Sequence, residues 1–276
     1  MAHPQIAAFA RLAKENTPPT RALEGQRTMI SRTMHAFAYD RVHDEIIVTS
    51  PLASGILVFR GAANGNEAPV RVIQGPRTQI VGINDKVSVD PANNEILAST
   101  GGTLTSSGPN AILVFDREAN GDVAPKRVLS GPDTQLGRGA GQAQVDPTRN
   151  LLFVNGGRKM LIFDRTASGN VKPRAVIEGP KSGMDSTNSF QLYPPKGWVI
   201  TACFDGAVCA WSVNDNGDVP PRWKIPVQQL TGYEASGMAL DTAHKEIIFS
   251  SVGPRPKSGT GQMNAIITFA WPEIFQ

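Results

Sequence analysis

The chain has 276 residues, of which 40% are hydrophobic and 18% are charged, and its formal net charge is +3. The charges are scattered and form no basic stripe that could neutralise a row of phosphates, which speaks against nucleic-acid binding. No apolar run approaches the ~18 residues that a membrane-spanning helix requires. The 27 glycines and 21 prolines suit many short strands joined by tight turns, and an all-β chain of this length is commonly one domain.

The N-terminal segment is the first element along the chain. MAHPQIAAF lacks the basic end and the long apolar stretch of a secretory signal, so we expect an extracytoplasmic location only if a signal was removed from a longer precursor, and a cytoplasmic one otherwise. Residues 6–15 (IAAFARLAKE) fit either a surplus strand or a short amphipathic helix. We therefore predict an N-terminal extension over residues 1–18 and a single domain over residues 19–276.

An internal repeat of about fifty residues organises the rest of the chain. An apolar strand that ends in an aromatic residue recurs, and a turn and another strand follow most copies. FRGAANGNEAPVRVIQG (59–75) and FDREANGDVAPKRVLSG (115–131) align without a gap. The aromatic landmarks are Phe9, Phe59, Phe115, Phe163, Trp211 and Phe269.

A second landmark is a short strand that ends in Asp or Tyr. Five residues after each one a third strand begins, as in EIIVTS (45–50) and EILAST (95–100). From each aromatic landmark to the next Asp or Tyr the distance is 30 or 31 residues, whereas the remaining part varies from 17 to 28. One half of the repeat therefore has a constant length, and the other half contains loops of variable length. The landmarks are Asp40, Asp90, Asp146, Tyr193 and Asp241.

Strands such as SGMALD and AILVFD, with Asp-Pro turns between them, resemble the NHL-type and related six-bladed propeller repeats. The resemblance implies a β-propeller in which the Asp-terminated strand is innermost (A) and is followed by strands B, C and D. Counting strands by type, we predict an all-β propeller of five four-stranded blades. Residues 19–25 would close it by pairing with residues 265–270 as the last strand D. A six-bladed propeller is the alternative.

Strand order places the D–A connections and the B–C loops at the same end of every blade. The largest length variation lies in two B–C loops, 101–111 and 252–265. The residues just before the A strands form a polar, chemically mixed set at equivalent repeat positions. They are solvated positions at a channel mouth or they line a ligand site. We predict as ligand-binding residues His35, Asp85, Lys86, Arg138, Gln142, Asn188 and Ser189.

The predicted site favours binding over catalysis. No nucleophile elbow, His-Glu-x-x-His, Walker loop or dinucleotide fingerprint is present. We predict a non-catalytic scaffold for an unknown protein or small ligand, with no cofactor. The alternatives are a structural module of a larger assembly and a channel-centred hydrolase or lyase. Propeller lactonases hold a divalent cation in the channel. Asp85 and Asn188 could be ligands here, but Lys86 would oppose a cation.

Two further features leave structural alternatives. Cys203 and Cys209 flank the Asp205-Gly206 turn, and two buried thiols are favoured over a disulfide. Neither cysteine has a partner at zinc-ligand spacing. Arginines recur in strand D, where we expect them to brace the blade edge rather than form a basic ring. They are Arg21, Arg71, Arg127, Arg174 and Arg222.

Overall fold

A computed structural model describes residues 5–31, 34, 36–81, 86–101, 108–137, 141–253 and 264–276. The fold is all-β and is a five-bladed β-propeller, as the repeat predicts. The chain divides into two compact units. The first comprises residues 1–132, 138–143 and 168–171, and the second comprises residues 133–137, 144–167 and 172–276. Among the described residues, no helix is long and apolar enough to cross a membrane.

The first unit holds a hairpin and two complete blades. The hairpin pairs β1 (Gln5–Ala8) with β2 (Arg21–Glu24). The first blade is β3 (Phe37–Asp40), β4 (Glu45–Ser50), β5 (Gly55–Arg60) and β6 (Arg71–Gln74), in that order. The second blade is β7 (Val87–Asp90), β8 (Glu95–Thr100), β9 (Ala111–Asp116) and β10 (Arg127–Ser130).

The other three blades belong to the second unit, apart from the first residue of β11. The third blade is β11 (Ala143–Asp146), β12 (Leu151–Asn155), β13 (Lys159–Asp164) and β14 (Ala175–Glu178). The fourth is β15 (Met184–Tyr193), β16 (Trp198–Cys203), β17 (Val208–Ser212) and β18 (Trp223–Ile225). The fifth is β19 (Glu234–Asp241), β20 (Glu246–Val252) and β21 (Asn264–Ala270). Two short α-helices are α1 (Val227–Thr231) and α2 (Pro272–Phe275), and short 3-10 helices span Gln26–Thr28, Pro51–Ala53, Pro76–Thr78 and Pro132–Thr134.

The predicted closing pair is wrong for the described residues. β2 pairs with β1, not with β21, and β21 is the last strand of a three-stranded sheet. The segment predicted as surplus supplies this partner, so residues Gln5–Ala8 form a strand rather than a helix. IAAF has the same pattern as the C strands, so it can pair with a D strand just as β21 can. The sequence predicts that residues 19–25 pair with β21, whereas in the structure they pair with β1.

The Asp that ends strand A shapes the turn into strand B. The buried Asp40 carboxylate accepts the backbone amides of Val42 and His43 at 2.9 and 3.1 Å. The Nδ1 atom of His43 lies 2.7 Å from the other carboxylate oxygen, and His244 has the same relation to Asp241. Both histidines are therefore turn residues, and each is tied to the landmark carboxylate.

The C–D turns of the first four blades each hold the D strand of the repeat before them. Leu23 forms a parallel bridge with Gly65, and the bridges of Ile73 with Gly121 and of Ile177 with Gly217 repeat it. The residue that follows the glycine of the turn makes a further contact with the preceding repeat through its side chain. Asp122 Oδ1 accepts the Arg77 amide at 2.7 Å. This fastener explains the repeated Asn-Gly-Asn/Asp sequence, because the turn's backbone and side chains both bind the neighbouring repeat.

A glycine leaves room for this fastener. Gly75 has φ +132°, and a Cβ built there would lie 2.5 Å from the carboxylate of Asp122. The same crowding recurs where Gly179 meets Asp218, at 2.4 Å. A side chain at either glycine would collide with the turn of the next repeat and would also strain the backbone.

The strand-D arginines brace their blades, as predicted, but they do so at two positions. Arg71 and Arg127 bind the first residue of strand B, Glu45 and Glu95, at 2.7 Å each. The other three bind different acceptors, and two of them, Arg174 and Arg222, lie one residue earlier in the repeat, just before their D strands begin. Arg174 binds Asp164, Arg222 binds Asp215, and Arg21 donates to the Gly61 carbonyl.

Candidate binding face

The candidate site lies at the end of the blades where the B–C loops and the D–A connections meet, and we call this end the loop face. Three of the seven predicted ligand-binding residues, His35, Asp85 and Arg138, lie outside the described residues, as does the side chain of Asn188. Lys86, Gln142 and Ser189 are described and partly exposed. Whether the seven side chains converge therefore stays a prediction.

Hydroxyl groups from strand B form hydrogen bonds with the backbone of two predicted ligand-binding residues. In the first unit, the Lys86 carbonyl accepts the Ser99 amide at 3.1 Å and its hydroxyl at 3.4 Å. In the second unit, Thr201 Oγ1 donates to the Ser189 carbonyl at 2.9 Å. The Ser189 hydroxyl in turn donates to the Ser236 carbonyl at 3.3 Å. These bonds fix the backbone of both predicted ligand-binding residues.

A side-chain clasp joins successive A strands at one repeat position. Ser88 donates to the Ala143 carbonyl within the first unit. Within the second, Gln144 Nε2 donates to the Phe190 carbonyl at 2.7 Å, and Gln191 Nε2 donates to the Met238 carbonyl at 2.9 Å. Sequence reasoning missed this clasp. The signal was a polar residue two positions before three of the five landmarks.

A disulfide braces the loop face of the fourth blade. Cys203 and Cys209 are bonded, and both are buried, so the preference for two thiols is wrong. The reason is the hairpin register. Val208 lies opposite Ala202, and the Cys203 amide donates to the Ala207 carbonyl. The cysteines are thus diagonal neighbours on one side of the hairpin, with Cα atoms 6.1 Å apart.

The turn within this disulfide presents an exposed aromatic side chain. Phe204 is 48% exposed, and the Arg158 guanidinium lies 4.5 Å from its ring centroid. The Phe204 amide donates to the Gly183 carbonyl at 2.9 Å, so the turn is anchored to the D–A connection. Sequence reasoning missed Phe204, although a large apolar residue in an Asp-Gly turn is a recognisable signal because such turns face solvent.

Helix α1 lies next to this turn. The Gln228 amide donates to the Gly206 carbonyl at 3.1 Å, which joins α1 to the turn, and Leu230 on α1 is 62% exposed. Lys224 forms an ion pair with Asp205. The hydrogen bond from Lys224 lowers the pKa of Asp205. We call these residues the aromatic patch: Arg158, Phe204, Asp205, Lys224 and Leu230.

The first unit also exposes apolar side chains at the loop face. Leu52, in the first B–C loop, is 71% exposed, and Met29 and Val81 are exposed in D–A connections. Hydrogen bonds hold these segments. The Val81 amide donates to Thr100 Oγ1 at 3.0 Å, and Gln74 Nε2 donates to the Ala53 carbonyl at 2.7 Å. The apolar side chains are thus presented by fixed backbone.

The residues that the structure describes include no group of three or more His, Cys, Asp or Glu side chains placed to hold a metal ion. The fold defines the class of protein, a five-bladed β-propeller. No family model and no curated protein matches this chain.

Proposed function

We propose that this β-propeller is a non-catalytic binding protein that holds a polypeptide partner on its loop face. The observation that carries the proposal is the aromatic patch, where Phe204 is exposed beneath Arg158 and beside a helix that exposes Leu230. Aromatic and arginine side chains are enriched among the residues that dominate protein–protein binding energy. Loops on a rigid scaffold are also the usual carriers of binding residues.

Pre-organisation supports the same proposal. The disulfide, the Gly183 carbonyl and the Gln228 amide fix the turn that presents Phe204. A partner would therefore bind without first having to order this turn, which lowers the entropic cost of association. The Asp205–Lys224 ion pair supplies a polar margin beside the exposed ring.

The seven-residue channel-mouth site is the finer part of the proposal. Asp85 and Lys86 would supply charged contacts, His35 a pH-sensitive contact, and Asn188 and Gln142 neutral hydrogen bonds. Arg138 and Ser189 complete the set. We also infer that the repeats are of the NHL type, which the carboxylate-capped turns after the Asp-terminated strands support.

The test is to select peptide ligands from a displayed random library against the full chain and then to measure their affinities for variants. Phe204→Ala and Leu230→Ala should weaken binding by at least about tenfold, since truncating a central anchor typically costs ~2 kcal/mol. Val42→Ala is the matched control, because Val42 is 72% exposed in an A–B turn on the opposite end of its blade. Equal losses in all three variants would contradict the proposal.

The channel-mouth residues are tested with the same ligands. Asp85→Ala and Lys86→Ala are compared with His43→Ala and His244→Ala, whose histidines lie in A–B turns. We expect weaker binding in the first pair only. If the turn histidines weaken binding while Asp85 and Lys86 have no effect, the binding face has been assigned to the wrong end.

A further inference from the structure

The arginine of the aromatic patch differs from three other arginines of the second unit in what it binds. Arg149, Arg174 and Arg222 each bind a carboxylate, at 2.8, 2.6 and 2.6 Å. Arg158 is exposed, and its guanidinium lies over the Phe204 ring without an ion pair to any described residue. A cation–π contact uses no hydrogen-bond acceptor, so the N–H donors of Arg158 remain for an acceptor outside the chain.

A lysine follows at the same end of the same blade. In the pairing of β13 with β14, Lys159 lies opposite Glu178, a residue of opposite charge, so Arg158 and the segment after β14 leave the hairpin together. Lys181 is exposed in that segment, and its backbone amide donates to Asp218 Oδ1 at 2.7 Å. Its ammonium group, like the Arg158 guanidinium, forms no ion pair within the described part of the chain.

The acidic side chains near the patch already have partners. Asp205 forms an ion pair with Lys224. The Glu234 carboxylate accepts the side-chain amide of Gln228 at 3.1 Å, and Asp185 is also engaged. The acceptors of this surface are therefore satisfied, whereas its two exposed cations have no carboxylate. The surface is complementary to an added acceptor of negative charge rather than to an added donor.

The apolar part of the patch adjoins this cationic part. Arg158 contacts the Phe204 ring directly, and the turn that presents Phe204 is joined to α1 by the hydrogen bond from the Gln228 amide to the Gly206 carbonyl. The turn and α1 are in close contact, because a Cβ at Gly206 would collide with the Gln228 side chain. Leu230 is exposed on α1. A ligand that reaches Arg158 can thus also cover apolar surface.

We propose that the polypeptide segment held by the aromatic patch carries an Asp or Glu side chain next to a bulky apolar residue. The carboxylate binds the Arg158 guanidinium, with Lys181 as a second positive charge, and the apolar residue packs against Phe204 and Leu230. This inference rests on the proposed function, because it names the chemistry of the partner that binds the same patch.

The position of Arg158 suits this role for two physical reasons. A guanidinium can bind both oxygens of a carboxylate at once, which gives a charge-assisted and directional pair. The contact with Phe204 also restricts the Arg158 side chain before the partner arrives, so less side-chain entropy is lost on binding. Lys181 lacks such a contact among the described residues and should contribute less.

Two selections from one library of random peptides displayed on phage test this chemistry. One selection uses the full wild-type chain and the other uses the Arg158→Gln variant. Loss of binding to Phe204→Ala identifies the peptides that occupy the patch. We expect those from the wild-type selection to be enriched in Asp or Glu next to an aromatic or large aliphatic residue. The selection against Arg158→Gln should keep the apolar preference and lose the acidic one.

A double-mutant cycle on one selected peptide then measures the proposed contact. Replacing the acidic residue of the peptide by its amide, or Arg158 by Gln, should each weaken binding by about fivefold, as expected for an exposed charge pair. Both changes together should weaken it no more than either alone, because each removes the same contact. If Arg158 only positioned the Phe204 ring, Arg158→Gln would weaken the acidic peptide and its amide counterpart equally.

Arg41→Gln is the matched control, because Arg41 is an exposed arginine in an A–B turn, at the opposite end of its blade. It should leave the affinity of the selected peptide unchanged. Since Arg158 is exposed, Arg158→Gln should fold, and circular dichroism verifies this. The substitution in the peptide tests the same contact without altering the protein.

The outcomes separate this inference from the proposed function. If no selected peptide loses affinity for Phe204→Ala or Leu230→Ala, the proposed function fails and this inference fails with it. If peptides that depend on Phe204 carry no excess of acidic residues, or if the two single changes in the cycle are additive, this inference alone is overturned. The proposed function would then stand with a partner of purely apolar contacts.

Discussion

Replacing Gln144 tests the clasp between neighbouring A strands. Gln144 Nε2 donates to the Phe190 carbonyl at 2.7 Å, and its Oε1 accepts the Leu192 amide at 3.1 Å. Gln144→Ala removes both bonds. Each is worth ~1 kcal/mol net, and the two partly buried backbone groups lose a partner as well, so we expect the free energy of unfolding to fall by roughly 3 kcal/mol.

Thermal and urea denaturation followed by circular dichroism measure this loss. In a chain of this size ~3 kcal/mol corresponds to a fall in Tm of roughly 10 °C. Gln26→Ala is the matched control, because the Gln26 side chain is exposed in a turn and its substitution should change stability by less than ~0.5 kcal/mol. If both variants unfold at the same midpoint, the clasp contributes nothing and the reasoning from hydrogen-bond geometry fails.

Two other predictions concern turns. Gly75→Ala should destabilise the fold strongly, because the φ of Gly75 is +132° and the new Cβ would collide with Asp122. Gly157→Ala is the control and should destabilise the fold far less, because the φ of Gly157 is +77° and no atom lies within 4 Å of the new Cβ. Equal melting temperatures of the two variants would contradict this prediction. Burial raises the pKa of Asp40, but hydrogen bonds from the His43 side chain and backbone outweigh it, so the pKa is lowered. Its stabilisation is present above pH ~4 and lost on further acidification, so Asp40→Asn should flatten the acid limb of a stability–pH curve.

The spacing of the landmarks predicted the fold well because strand bounds follow from alternation and turn chemistry. EIIVTS and EILAST are β4 and β8 without a shift of a residue. β15 and β19 are longer than predicted, since each continues past a bulge into the D–A connection. Local patterns do not register such an extension, because the partner residues lie at the far end of strand B.

The sequence could not determine the partner of β2 or the register of the hairpin that carries the cysteines, because each allowed two similar pairings. β1 and β21 carry the same strand-C pattern, so either could lie beside β2, and the pattern alone could not select β1. The disulfide depended on whether Ala207 or Val208 lies opposite Cys203, a one-residue difference in loop length. The candidate site was chosen from equivalent repeat positions and stays a prediction, whereas the exposure of Phe204 became apparent only once its turn was placed beside Gly183 and α1.

The fasteners between repeats have a consequence for how such a chain can change over evolutionary time. In the first four blades the C–D turn, of Asn-Gly or Ser-Gly sequence, holds the D strand of the repeat before it, as Gly121 holds Ile73. A duplication or deletion of one whole repeat among these blades therefore leaves each remaining fastener with a matching neighbour. Gene segments of this length can be gained or lost without the need for a new interface. The number of blades can therefore vary more readily than the structure of a single blade.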